Sequence, residues 1–167
     1  MVIAFDLGNT ALTIGVYDQG RLKHRFFTTS DLGRTSVEYQ IILRSFMEAT
    51  PYDFSVCEAI VFSSVVPPLA AVVKEAIAAL FTAPILTVGR KAKTGLALHV
   101  DHPSEVGADL VSASVGGLYK YQAPLVIADL GTATKIIAID SSGAFVGVTI
   151  APGLMVSLQA LIGRASL

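Results

Sequence analysis

The chain has one cysteine and few charges, and each shortage removes a class of protein. A lone Cys57 cannot build an internal disulfide framework, so the sequence does not read as a small stapled secreted domain. It suits a reducing compartment, and a cytoplasmic location is expected. Cys57 also lacks an activating neighbour and reads as a structural thiol. Charged residues are 15% of the chain, against roughly 25% in an average globular protein. Lys and Arg number 12, Asp and Glu 13, and the net charge is -1, so there is no basic footprint for nucleic acid. His24, His99 and His102 lack metal-ligand spacing. The N-terminus runs into an apolar stretch with no basic leader, and no secretory signal is visible. The stretch from Val65 to Leu86 is broken by Pro67-Pro68 and carries Lys74-Glu75, so it reads as a core helix with its flanking strands, not a membrane span. Neither a Walker loop nor a dinucleotide fingerprint occurs.

What is abundant is apolar side chain, at 53% of 167 residues. That is enough for a real core, and the surplus points to surface hidden against a partner subunit or further chain. A repeat is also present. Asp6-Leu7-Gly8-Asn9-Thr10 follows Val2-Ile3-Ala4-Phe5, leads into Leu12 to Tyr17 and ends at Asp18-Gln19-Gly20. Asp129-Leu130-Gly131-Thr132-Ala133-Thr134 follows Leu125 to Ala128, leads into Ile136 to Ile139 and ends at Asp140-Ser141-Ser142-Gly143. Each copy reads as strand, acidic glycine turn, strand, second turn.

Around the repeat, residues 2–6, 11–17 and 21–28 read as strands. Ser36 to Glu48 reads as a helix with Val37, Ile41, Ile42 and Phe46 at apolar spacing. A strand at 58–63, a helix from Pro67 to Phe81 and a strand at 85–88 follow. After an irregular stretch, a helix over 104–121 is expected, with Ser104 at its cap and Glu105 and Asp109 on one face. Strands at 124–129, 133–140 and 144–150, a Pro152-Gly153 break and a helix from about Met155 complete the reading. The fold class is α/β. A β-β-β-α-β-α module of the ribonuclease H-like (actin-like ATPase) kind is complete once, over 1–121, and begun a second time over 122–167. The second copy stops after its first helix starts, so a truncated module is expected.

The turns carry chemistry. Glycine lets backbone approach an anion closely, and an aspartate ending the preceding strand can hold a cation that neutralises phosphate. One such turn is an ordinary hairpin; two in corresponding places point to a nucleotide. Asn9, Thr10, Thr13, Thr132 and Thr134 add neutral hydrogen-bonding groups nearby. In Asp101-His102-Pro103-Ser104-Glu105-Val106-Gly107-Ala108-Asp109, a carboxylate at the start of a helix, opened by Gly107-Ala108, can take a proton from a substrate hydroxyl. Taken alone, a carboxylate favoured by the helix dipole is the better explanation. The basic cluster Arg90 to Lys93 reads as a solvated turn.

These segments together resemble the type III pantothenate kinases. The resemblance runs over the whole chain and rests on Asp6-x-Gly-Asn-Thr, Ser63-Ser64-Val65-Val66-Pro67, Pro103 to Asp109, Asp129-x-Gly-Thr-Ala-Thr and Ala151-Pro152-Gly153. It implies ATP, with Mg²⁺, at Asp6, Leu7, Gly8, Asn9, Thr10, Ala11, Leu12 and Thr13, with Thr132 as a further contact. It implies a monovalent cation, K⁺ or NH₄⁺, at Asp129, and Asp109 as general base. Pantothenate is implied at Val100, Gly107, Ala108, Asp109 and Leu110, in a homodimer whose interface lies near the substrate. The implied reaction moves the γ-phosphoryl of ATP to pantothenate's terminal hydroxyl, opening coenzyme A synthesis. Neither nucleic acid nor a membrane enters this picture. The chain departs from the family pattern at Leu110 (usually arginine), at Val100 (usually aromatic), at His102 (usually asparagine) and at Lys135 (usually polar and neutral). An arginine fork pairs a carboxylate bidentately and leucine cannot. Two other readings therefore stay open: a paralogue kinase acting on another small alcohol, and a silent nucleotide-binding homologue that regulates or completes a partner subunit.

Overall fold

The computed structural model describes residues 1–89 and 92–164. The chain forms two compact units, Met1–Ala92 and Lys93–Leu167. This division by packing leaves residues 93–121 with the second unit, whereas the sequence repeat alone divides the chain at 121/122.

In the first unit β1 (Val2–Leu7), β2 (Ala11–Asp18) and β3 (Arg21–Thr29) are followed by α1 (Ser36–Glu48), β4 (Ala59–Ser64), α2 (Pro67–Ala78) and β5 (Ile85–Thr87). The sheet order is β3-β2-β1-β4-β5, with β1–β2 and β2–β3 antiparallel and β1–β4 and β4–β5 parallel. This is the ribonuclease H-like arrangement that the element order leads one to expect. Alternation explains which face is buried. Ile3, Phe5 and Leu7 pair in register with Val16, Ile14 and Leu12, and all six are buried beneath α1 and α2. Each such side chain contributes about 1.5–3 kcal/mol by leaving water. The same alternation turns Asp6, between Phe5 and Leu7, to the opposite, exposed face.

Helix α1 begins where its sequence dictates. Thr35 caps it, its hydroxyl accepting from the Glu38 amide while Glu38 accepts from the Thr35 amide and hydroxyl. Its buried face is Tyr39, Leu43 and Phe46; Val37 and Ile41, expected inside, are about 60% exposed. Both patterns have helical spacing, and the sheet below selected the one with the larger side chains.

The second unit comprises α3 (Ala108–Lys120), β6 (Leu125–Leu130), β7 (Ala133–Ile139), β8 (Phe145–Pro152) and α4 (Leu154–Arg164). Its sheet is β6-β7-β8, all antiparallel. Ile137, Ile139 and Phe145 form its core with Leu110 of α3, and Leu96, Leu98 and Val100 pack against that cluster. Leu98 bridges β8 at Phe145, which gives the otherwise irregular stretch its anchor. The helix expected over 104–121 starts at Ala108 instead. Pro103–Glu105 forms a separate 3-10 turn, Val106 and Gly107 are extended, and Gly107 rather than Ser104 occupies the cap position. Glu105 and Asp109 therefore do not share a helix face. The proline fixes a tight turn that the extended Val106 ends before an α-helix can propagate.

Among the described residues no helix is long and apolar enough to cross a membrane.

The turn after β7 supplies a pH test. Asp140 accepts from the Ser142 hydroxyl, the Ala144 amide and the Ser142 amide, which hold its carboxyl below the usual aspartate value. A lowered folded-state value gives stability that is present above the unfolded value, about 3.9, and lost as pH falls through the folded one. Replacing Asp140 by Asn is expected to flatten the acid limb of the urea midpoint measured from pH 5 to pH 2, whereas an unchanged limb contradicts the assignment.

Candidate functional site

The two aspartate-glycine turns are built differently. In the first, Leu7 pairs with Leu12, so Gly8 to Ala11 make the turn and Thr13 stands opposite Asp6. The Gly8 amide donates to the Ala11 carbonyl at 3.0 Å. Ser30, just beyond β3, fastens this turn from the side: its hydroxyl donates to the Gly8 carbonyl at 2.6 Å and its amide to the Thr10 carbonyl at 2.9 Å. Leu7 and Leu12 are core side chains, so only their backbone is available to a ligand. Asn9 and Thr10 are exposed, and Gly8, Ala11 and Thr13 half-buried. On the other side of Asp6, in register, lies Ser63 of β4. Ser63 is 4% exposed, and its hydroxyl has no hydrogen-bond partner among the described residues. A carboxylate flanked by Thr13 and an unsatisfied buried hydroxyl fits an oxygen-liganded cation or its water shell.

In the second turn Leu130 pairs with Thr134, so the connection is one residue shorter and Lys135 stands opposite Asp129. Asp129 shares its face of β6 with Leu125 and Ile127, and Lys135 shares its face of β7 with Ile137 and Ile139. That face lies beneath α3. Asp109 occupies the first turn of α3, where the helix dipole favours an acid. The three side chains meet: the Lys135 Nζ lies 2.6 Å from Asp109 Oδ2 and 2.6 Å from Asp129 Oδ2. Burial alone would push the Lys135 ammonium down, but hydrogen bonds to Asp109 and Asp129 outweigh it and hold it above the usual lysine value.

The sequence identified Asp109 and Asp129 separately and Lys135 only as a departure. No signal in the sequence joins them, because the contact needs the register of β6 with β7 and the seat of α3 together. The monovalent cation implied at Asp129 does not fit these residues, since that carboxylate's Oδ2 already holds an ammonium. No group of three or more His, Cys, Asp or Glu suited to a metal occurs among the described residues.

The remaining candidates fall in two places. Gly107 and Ala108, half-buried, lead into Asp109, and Thr132 is exposed at the tip of the second turn. Val100 and Leu110 instead belong to the hydrophobic cluster under α3, where Leu110 is 6% exposed. Arg90 and Lys91 of the basic cluster lie outside the described residues. Cys57 is half-buried with its thiol pushed up by burial, as a structural cysteine should be. Gly153 packs against the second turn in a way the sequence does not disclose. Its amide donates to the Thr132 carbonyl at 3.0 Å, and a Cβ there would overlap the carbonyl oxygens of Gly131 and Thr132. Only glycine lets the start of α4 support the second turn this closely.

Solved structures share the fold. An activator of 2-hydroxyisocaproyl-CoA dehydratase from Clostridium difficile, with bound ADPNP, is similar over 99% of this chain and 53% of its own, with a TM-score of 0.55 at 13% identity. The ethanolamine utilization protein EutJ from Carboxydothermus hydrogenoformans is similar over 96% of this chain and 56% of its own, with a TM-score of 0.54 at 14% identity. The fold is thus that of the actin-like ATPases and sugar kinases.

Sequence comparison narrows the class. The family model for type III pantothenate kinase matches residues 2–167, and the chain belongs to that family. A type III pantothenate kinase from Exiguobacterium is 37% identical over 166 residues, covering 99% of this chain and 65% of the relative. The chain spans 64–65% of the length of the curated relatives it matches.

Two glycines separate a rigid contact from a yielding one. A Cβ at Gly153 meets backbone, whereas a Cβ at Gly117 in α3 meets the movable end of Ile127. Gly153→Ala is expected to destabilise the protein by about 1–3 kcal/mol in urea titration. Gly117→Ala should cost under about 1 kcal/mol, because better helix propensity offsets the crowding. Equal losses would contradict the account of the Gly153 contact.

Proposed function

We propose that the protein transfers the γ-phosphoryl group of ATP to the terminal hydroxyl of pantothenate, forming 4'-phosphopantothenate at the start of coenzyme A synthesis. The observation carrying this reading is the joining of Asp109 to the second aspartate-glycine turn, in a chain of the type III pantothenate kinase family. The ADPNP held by a protein of the same fold supports ATP as the donor.

In this reading the backbone from Asp6 to Thr13 approaches the phosphates, and Thr132 adds a hydroxyl. Mg²⁺, when bound, neutralises phosphate charge. Asp6 would hold it, with Thr13 and the Ser63 hydroxyl completing its water shell. Gly107 and Ala108 leave room beside Asp109 for the acceptor. Asp109 takes the proton of the attacking hydroxyl, whose oxygen bonds to the γ-phosphorus as the bond to the β–γ bridging oxygen breaks and ADP leaves. Because Lys135 holds Oδ2, the proton goes to Oδ1. Potassium or ammonium is left out, since Asp129 already pairs with Lys135.

A cytoplasmic homodimer completes the proposal. Leu154, Met155, Leu161 and Ile162 of α4 are exposed and offer apolar surface for a second copy. The functional modules follow the repeat, 1–121 and 122–167.

One observation favours a second reading. Leu110 is packed in the core and brings no charge to an acceptor's carboxylate, which suits a paralogue acting on an uncharged alcohol. Measuring ADP release by the full-length protein, with ATP, Mg²⁺ and either pantothenate or a panel of small alcohols, separates the two. Release is expected to depend on pantothenate and to fall 10²–10⁴-fold in Asp109→Asn, the usual range for loss of a general base. Release driven only by another alcohol would favour the paralogue, and nucleotide binding without turnover on any acceptor would contradict both.

A further inference from the structure

We propose that Lys135 is a tethered cation that holds Asp129 and Asp109 together in place of a free monovalent ion. The inference deepens the kinase reading, but its structural part stands without it. The Lys135 ammonium donates to Asp109 Oδ2 on α3 at 2.6 Å, and the same nitrogen forms an ion pair with Asp129 Oδ2 on β6 at 2.6 Å. The lysine side chain is 17% exposed and Asp109 23%, so solvent screens that pair least, while Asp129 at 41% is the more screened partner. A second unit charge about 4 Å away, at an effective dielectric constant near 20, would bind on the order of a thousandfold more weakly. The seat beside Asp129 is therefore filled by the chain itself.

The first hairpin supplies the contrast. Opposite Asp6 stands Thr13, a neutral hydroxyl that adds an oxygen and no charge. Opposite Asp129 stands Lys135, which adds a charge and no oxygen. Two turns of like sequence thus set different groups beside the aspartate: a neutral hydroxyl in the first, and the chain's own cation in the second. Lys135 is in this account a positioning residue, acting on the reaction through Asp109.

The test uses thallium(I), an NMR-visible substitute for potassium, added to the full-length protein without nucleotide. The unsubstituted protein is expected to show no saturable thallium signal that depends on Asp129. Lys135→Ala, checked for folding by circular dichroism, should gain a saturable site that Lys135→Ala/Asp129→Asn loses again. Saturable binding by the unsubstituted protein that vanishes in Asp129→Asn overturns the proposal, as does a folded Lys135→Ala protein that binds no thallium. The first of these results is readable even if Lys135→Ala does not fold, because it compares the unsubstituted protein with Asp129→Asn alone. In a parallel turnover assay, potassium and choline buffers should agree within about twofold for the unsubstituted protein, while Lys135→Ala should need potassium or ammonium. Tenfold or greater activation of the unsubstituted protein by potassium overturns the proposal. Absence of turnover in every buffer counts against the kinase reading alone, because the thallium titration still decides the role of Lys135.

Discussion

One ammonium group ties two acidic side chains of the second unit together. Lys135 joins the first turn of α3 to the strand that ends in the second glycine turn, and two carboxylates converge on it. Without that charge, Asp109 and Asp129 would face each other partly buried and unneutralised, and like charges at such range repel. The rest of the unit is arranged to make the contact. Alternation in β6 and β7 puts Asp129 and Lys135 on the core-facing side, at the end of a row of Leu125, Ile127, Ile137 and Ile139. Gly117 lets α3 settle close over Leu125 and Ile127, which brings Asp109 down onto the polar end of that row.

The duplicated hairpins show how little sequence separates two geometries of one motif. Both place an aspartate one residue before the end of a strand and a glycine in the turn. One residue fewer in the second turn changes which residue of the return strand stands opposite the aspartate. Each turn is also supported from outside the hairpin, the first by Ser30 and the second by Gly153. Both supports fix backbone carbonyls, which is what a turn needs if its geometry is to be the same before and after a ligand arrives.

Much of this was legible in the sequence, for physical reasons. The strands of the repeat were readable because apolar alternation and Asp-Gly-type turns are local signals. Helix α1 was found between the right residues, since Thr35 and Glu38 cap it and Pro51 lies beyond its end. The buried side of α1 was legible only in part: Phe46 is inside as expected, but Val37 and Ile41 match helical spacing as well as Tyr39 and Leu43 do, and only the sheet chooses between them. The start of α3 was misread because Pro103-Ser104-Glu105 carries the residues of a helix cap yet forms a 3-10 turn. The family motifs single out Asp6, Asp109 and Asp129 as candidates, but not what they touch. Ser63, Ser30, Gly153 and the Lys135 bridge depend on register and on packing between elements distant in sequence, and no window of residues contains that information.

The central claim, that Lys135 is held by both carboxylates, is tested most directly by the proton–nitrogen NMR spectrum of lysine ammonium groups in ¹⁵N-lysine-labelled protein. An ammonium donating to two carboxylates exchanges its protons slowly. The account predicts a resolved signal at neutral pH that is assigned to Lys135 by its loss in Lys135→Met and is weakened by exchange in Asp129→Asn. An exposed lysine such as Lys120 should give no such signal. If Lys135 exchanges as fast as Lys120, the bridge does not persist in solution and the account fails at its root.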